Sequence, residues 1–449
     1  MRGLQRPAEA AQLLAVVHAN QPESSIVAHN LAAARGDAGD FNGAISAARR
    51  ALFLKPRPET WLVLGRSLQA EGDLEAARAA FREAIALRPD YRDALRDLSQ
   101  LSWMQDRNAN AALAPLYAAL ASHPSSDLAA MTCGVIRDIS GHRAAYAFVQ
   151  PWTDRRSAAV ELSAASALAM FDTDLQLRHA EVAVDLEPRM AETNNGWASA
   201  LLSAGRVDDA LAALNAWTAV APSDQFALAL RQAALRMGNR PGALTSQDYS
   251  RLVGVFDLDT PSAWANRASW LADLSRALHR LHDFQAEPFG QSIRQGAQAR
   301  VDPRWVGDAS IDATFGAFAL PLADYAAAMS PIEPMGARRT AGVDIAGAWS
   351  VRLSSGGMHN DHVHPQGWLS SAFYAELPQG SGESREGWLR FGGVELGGQA
   401  SLPPEYWVEP QPGRLTLFPS YLWHGTEPFG GAGYRLSIAF DARPRPPAH

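Results

Sequence analysis

Two hydrophobic rhythms divide the chain. In the first half, apolar residues return at helical spacing, and in the last third they alternate with polar ones as strands do. The clearest helical unit is ETWLVLGRSLQAEGDLEAARAAFREAIALRPD, Glu59 to Asp90. Trp61, Leu64 and Leu68 fall on one face, then Ala77, Phe81 and Ala84 on another, with EGD at 71–73 as a turn. Gly65 and Ala77 are small where two antiparallel helices would cross, and Pro89 ends the second helix. LAAARGDAGDFNGAISAARRALFLKP has the same plan about 33 residues earlier, with Leu31, Ala44, Ala51 and Pro56. NNGWASALLSAGRVDDALAALNAWTAVAPSD repeats it with Ala210, Leu214 and Pro222, and LRHAEVAVDLEP, ending at Pro188, reads as one more second helix. Residues 92–155 keep the period and lose most of these marker residues. The pattern predicts about six helix pairs between residues 10 and 245.

From about residue 250 Gly, Pro, Trp and β-branched residues replace the Ala-rich helices. SAWANRASWLADLSRALHRLHDF (262–284) still reads as helix, so residues 246–284 form a connecting helical segment. An i, i+3 pair such as His279 and His282 can bind metal, but nothing acidic converges with it in sequence, and the two read as structural. LADYAAAMSPI (322–332) suggests another helix. Strands follow at AGAWSVRLSS, WLSSAFYAEL, GWLRFGGV, GRLTLFPSYLWH and GYRLSIAFDA, between residues 346 and 442. The expected fold is multidomain: an all-α solenoid at 10–245, then an α+β domain at 285–443 with a jelly-roll core.

The offsets of Trp61, Leu64, Gly65, Leu68, Ala77, Phe81, Ala84 and Pro89 resemble the tetratricopeptide repeat. The resemblance implies a curved array whose concave face takes a peptide or protein. The other reading is an architectural array that supports or dimerises the second domain.

Composition narrows the partners. At 449 residues more than one domain is expected, and 47% apolar with 19% charged residues is globular. A net charge of −7 without any basic block argues against a nucleic-acid or membrane-surface partner. Cys133 is the sole cysteine, so neither an internal disulfide nor a thiolate metal cage can form. The first twenty residues read as the start of a helix rather than a leader, and a cytoplasmic protein is expected.

The chemistry gathers in HNDHVHPQGWLSSAFYAEL, His359 to Leu377. Residues i and i+2 of a strand point the same way, so His362 with His364, or His359 with Asp361, could grip one ion. The two pairs have opposite parity, and both cannot serve. HVHP with SSAFY, then LFPSYLWH, then GYRLSIAF resembles the Fe(II)/2-oxoglutarate-dependent oxygenases of the prolyl-hydroxylase-like kind. It is similar to the bacterial branch in which tetratricopeptide repeats precede the oxygenase domain, and EPFGQSIRQGAQA (287–299) also resembles a segment of that branch.

The resemblance implies Fe(II), 2-oxoglutarate and O2, with succinate and CO2 released as a substrate C–H bond is hydroxylated. It favours His362, His364 and His424 as metal ligands, with His359 and Asp361 as the competing pair. A His at the position of the family's usual carboxylate is a departure and leaves the triad neutral. By the same resemblance Arg435 pairs with the far carboxylate of 2-oxoglutarate, its planar fork suiting that anion. Ser437 adds a hydroxyl, and Tyr374 reaches the same carboxylate. Trp349, Trp368 and Trp423 are candidates to line the pocket. The expected substrate is a peptide or protein, with a small molecule as the other option. Two further readings stay open: a repeat scaffold with a catalytically silent or sensing β domain, and a three-His dioxygenase that does not use 2-oxoglutarate.

Overall fold

The computed structural model describes residues 7–329, 342–378 and 385–445. The chain divides into two compact units. One comprises the N-terminal part to Thr132 with Asp283–Pro288, the other Cys133–His282 with Phe289 onward.

The first unit is built of helix pairs, among them Ser25–Asp37 with Phe41–Leu54, and Pro58–Glu71 with Leu74–Leu87. Their starts are written in the sequence. Asp40 caps one helix through the amide of Gly43, and Asp73 caps the equivalent helix through that of Ala76. Between paired helices the EGD turn closes on Gly72, left-handed at φ 90°. Phe81 fills the hollow over Gly65, where an added Cβ would stand 2.5 Å from its ring. The segment Asp283–Pro288 docks on the helix Arg92–Asp106, the amides of Gln285 and Ala286 both donating to the Met104 carbonyl.

The second unit continues in helix pairs as far as Gln225–Met237 and then turns to strands. These are β1 Gly254–Asp257, β2 Ile293–Gln298, β3 Val343–His359, β4 Leu369–Glu376, β5 Leu389–Phe391, β6 Val394–Gly397, β7 Ala400–Leu402, β8 Tyr406–Val408, β9 Arg414–Pro419, β10 His424–Thr426 and β11 Arg435–Pro444. A six-stranded sheet runs β1-β9-β4-β11-β3-β2, every pair antiparallel. A three-stranded sheet runs β10-β5-β8, and β6 with β7 forms a hairpin.

The strand alternation sorts the two faces of the large sheet. Phe373 and Phe440 point to one face, where Trp270 of the helix Arg267–His279 and Phe318 of the helix Ala309–Met329 cover them. Tyr374, Arg435, Ser437 and Asp441 have the opposite parity and lie on the other face. Registers Tyr374↔Ser437, Val351↔Ser437 and Leu353↔Arg435 bring β3, β4 and β11 together there.

Several expected elements sit differently. The connecting segment contains β1, an edge strand whose partner β9 lies far along the chain, so no local turn signal marks it. The helix expected from 262 begins at Arg267, where Asn266 caps it through Ser269. The helix expected at 322–332 is the end of a longer one from Ala309, and residues 330–332 lie outside the described residues. One apolar cluster joins repeat residues such as Leu201, Leu214 and Leu230 to sheet residues such as Phe391, Phe418 and Trp423. In this unit, repeats and sheet share a core.

Candidate metal centre

β3 ends at His359, and the segment that follows is not a regular strand. His362 forms an isolated antiparallel bridge with His424, their amides and carbonyls exchanged at 2.9 and 3.0 Å. His364 donates its amide to the Ser420 carbonyl, which fixes the segment across from β10. The i, i+2 relation expected of a strand thus survives as extended backbone without a strand ladder.

The three imidazoles share a tautomer. His362 Nδ1 donates to the Asn360 carbonyl at 2.8 Å and His424 Nδ1 to the Leu422 carbonyl at 2.9 Å. His364 Nδ1 donates to Asp441 Oδ1 at 2.6 Å. With each proton committed to Nδ1, each Nε2 presents a lone pair. The Nε2 atoms of His362 and His364 are 3.1 Å apart, and the donor atoms of His362, His364 and His424 all lie within 4.8 Å of one another. Burial pulls His362 down to about 3 and His424 well below the ordinary histidine range, so protons do not fill the gap. Converging lone pairs without protons are the donor set of a metal ion. Asp441 also accepts from Ser370 Oγ at 2.8 Å and supplies, through His364, the negative charge that three histidines lack.

The competing pair has other partners. Asp361 receives both Nε and an Nη of Arg390, each at 2.9 Å, and Arg390 reaches Glu427 at 3.1 Å. Burial raises the Asp361 carboxyl, with Arg390 opposing it. His359 stacks on His362 with ring centres 5.9 Å apart, and its Nδ1 meets Ser292 Oγ at 2.9 Å. Among the described residues, the convergent group consists of His362, His364 and His424 and includes neither His359 nor Asp361.

Beside this group lies a buried cation. Arg435 is 2% exposed, its guanidinium carbon sits 5.0 Å from the Tyr374 ring centre, and its Nε has no hydrogen-bond partner among the described residues. The Tyr374 hydroxyl is buried with Arg435 and Thr416 Oγ1 beside it, and neither hydroxyl makes a well-formed hydrogen bond among the described residues. Burial lowers Arg435 from its ordinary value and raises Tyr374. A buried guanidinium without a carboxylate is costly, and Arg435 with the Tyr374 and Thr416 hydroxyls has the donor chemistry that an anion needs. Ser437 turns its hydroxyl toward the Val351 carbonyl at 3.5 Å.

Of the tryptophans, Trp349 covers His364 at 5.6 Å between ring centres. Trp423 turns away and donates to the Ala229 carbonyl of a repeat helix at 3.0 Å, while Trp368 is buried. Sequence reasoning missed Asp441, Thr416 and Ser292. Asp441 was within reach, since it shares the strand parity of Arg435 and Ser437. His279 and His282 have structural partners, Glu376 and Ser350, each at 3.0 Å.

Comparisons with known proteins divide the chain the same way. Residues 347–441 match the family described as "Putative 2OG-Fe(II) oxygenase", and residues 62–127 match the tetratricopeptide repeat. No curated protein matches the chain. Among solved structures, yeast Tom70 is 14% identical with a TM-score of 0.32, over 52% of this chain and 59% of that one. The anaphase-promoting complex hetero-tetramer Cut9–Hcn1 is 17% identical with a TM-score of 0.33, over 51% and 46%. The chain therefore spans less than two thirds of either. A Pseudomonas putida prolyl-4-hydroxylase is 18% identical with a TM-score of 0.30, over 45% of this chain and 98% of that one. Among the described residues no helix is long and apolar enough to cross a membrane. The two family matches thus fall one on the helical repeats and one on the strands that carry the histidines.

Proposed function

We propose that the protein is an Fe(II)- and 2-oxoglutarate-dependent oxygenase that hydroxylates a peptide or protein recruited by its repeat array. The observation that carries this reading is the pairing of two unsatisfied sets. Three imidazole lone pairs converge, and on the adjoining sheet face lies a buried arginine whose Nε has no hydrogen-bond partner among the described residues.

In this reading His362, His364 and His424 hold Fe(II) through Nε2. Asp441 keeps the His364 proton on Nδ1 and orients the ring. Arg435, with Tyr374, Thr416 and Ser437 around it, receives the far carboxylate of 2-oxoglutarate. His359 and Asp361 stay outside the metal's ligand set, the latter neutralised by Arg390. Phe418 packs edge-on against His424 at 4.6 Å and keeps water from that side. When bound, iron, 2-oxoglutarate and O2 supply the oxidising power to hydroxylate a C–H bond, with succinate and CO2 as by-products. The protein binds, orients and excludes water, and no general base is needed.

Residues 10–245 then form the recruiting array, 246–284 the connection, and 285–443 a jelly-roll oxygenase domain with a large and a small sheet. A single cysteine, the buried Cys133, supports a cytoplasmic setting.

Anaerobic titration with Fe(II) and 2-oxoglutarate tests the proposal through the visible charge-transfer band of the chelate. The band is expected in the native protein and absent in His364→Ala. In Arg435→Ala its half-saturation is expected to need at least about tenfold more 2-oxoglutarate, as for a lost charge-assisted bond. Iron bound without any band would favour a three-His dioxygenase that does not use 2-oxoglutarate. Neither iron nor band would leave the scaffold reading.

A further inference from the structure

The repeat helix Gln225–Met237 meets the strand pair that carries His424 through shared apolar packing and through several directed polar contacts. Trp423, the residue before His424, sends its indole Nε1 to the Ala229 carbonyl at 3.0 Å and packs its ring 6.0 Å from Phe226. Two turns further along the same helix face stands Arg236, whose side chain is 11% exposed. It donates to the carbonyls of Gly392 and Pro403, the latter at 2.8 Å, and its Nε lies 3.1 Å from Glu405 Oε1.

These contacts close a loop around His424. Gly392 donates its amide to the Trp423 carbonyl at 2.9 Å, so Trp423 and Arg236 hold the same residue, one at its amide and the other at its carbonyl. Its neighbour Phe391 is the register partner of His424 in the β5–β10 ladder. Glu405 donates its amide back to the Phe391 carbonyl at 2.9 Å. Arg236 therefore ties together two chain segments, Gly392 next to β5 and Pro403–Glu405 ahead of β8, on either side of the β5 strand that pairs with His424. The imidazole's own freedom is taken up by the Leu422 carbonyl and by Phe418.

We propose that Arg236 and Trp423 are positioning residues for His424, so that the helix Gln225–Met237 of the repeats is a structural part of the metal centre as well as of the array. The inference rests on the ligand assignment given under the proposed function. Its physical basis is that a metal site tolerates misplacement of a donor poorly, and removing outer contacts that orient ligands weakens metals about 10–100-fold. Gly392, at φ 85°, is the point where the repeat side chain approaches the strand backbone, and an added Cβ there would come within 3.1 Å of Arg236.

The test uses the full chain, freed of metal, titrated anaerobically with Fe(II) and, for its visible spectrum, with Co(II). The variants are Arg236→Ala, Trp423→Phe and Arg231→Ala. Arg231 lies on the same helix but bonds the exposed Asn215, and serves as the control for simple loosening of the helix. In Arg236→Ala the expected result is at least about tenfold weaker metal binding, with a shifted Co(II) spectrum. Trp423→Phe keeps the ring and loses the bond to Ala229; it should move the same way by a smaller factor. Arg231→Ala should leave affinity and spectrum unchanged. Melting of the metal-free variants is followed alongside, because a merely structural role lowers the melting temperature and leaves the spectrum of the bound metal where it was. Native affinity and spectrum in both Arg236→Ala and Trp423→Phe overturn the inference; should Arg236→Ala not fold, Trp423→Phe decides alone. Absence of metal binding in the native protein would instead overturn the ligand assignment and this inference with it.

Discussion

Two repeat pairs built on one plan meet different fates. Pro58–Glu71 with Leu74–Leu87 packs within the helical array, Phe81 filling the hollow over Gly65. Further along, Val207–Val220 with Gln225–Met237 contributes Leu214 and Leu230 to the cluster that also holds Phe391, Phe418 and Trp423 of the sheets. Periodicity says that a helix has an apolar face and leaves open what will cover it. The first pair is a repeat in the ordinary sense, and the second has become a wall of the unit that holds the sheets.

The comparison breaks most visibly in the cores. Phe81→Ala should cost about 3–5 kcal/mol in the first unit and leave Fe(II) affinity at the native value. Leu230→Ala, equally buried, should cost about 2–5 kcal/mol and weaken Fe(II) binding as well, since its cluster supports the strands around His424. Denaturant unfolding paired with metal titration reads both quantities, and equal metal affinities in the two variants would erase the distinction.

A smaller contrast lies in the helix caps. Asp73 caps its helix and does little else, so Asp73→Ala should cost about 1 kcal/mol. Asp224 caps Gln225–Met237 through the amides of Phe226 and Ala227 and also accepts from Trp217 Nε1 at 2.8 Å and Asn195 Nδ2 at 3.0 Å. Asp224→Ala leaves those donors stranded and should cost about 2–3 kcal/mol in the same thermal-melt series.

The smallest effect is one of pH and belongs to the second unit. Burial holds His282 from its ordinary 6.5 down to about 3, with its Nε2 on Ser350 Oγ. A folded value below the unfolded one means that the unfolded chain binds more protons between those limits. Stability is therefore full above 6.5 and drains as pH falls toward 3. Between pH 7 and 6 this one group should remove roughly 0.7 kcal/mol. His282→Gln should flatten the measured slope by that amount, and an unchanged slope would assign the acid sensitivity to other histidines.

How much of this was legible in advance varied by residue. The helix pairs, the caps Asp40 and Asp73, and the strands of the β domain follow from local chemistry, which composition and spacing carry directly. The histidines could be named as candidates because their clustering is itself local. The choice between His362 with His364 and His359 with Asp361 was not settled by parity, since the segment after His359 leaves the strand geometry on which parity depends.

What the sequence alone determined, then, was the order of a helical array and a β domain, and a short set of titratable residues near residue 360. The tertiary structure decided the rest, because each remaining question turned on partners distant along the chain. Arg390 engages Asp361, Asp441 orients His364, and β11 carries Arg435 into a buried place where its Nε has no partner among the described residues. Arg236 reaches the strand beside His424 from a repeat helix, a contact between residues 156 positions apart. Hydrophobic periodicity records which way a side chain faces along its own element. Only the folded chain brings together the lone pairs and charges that face one another across elements.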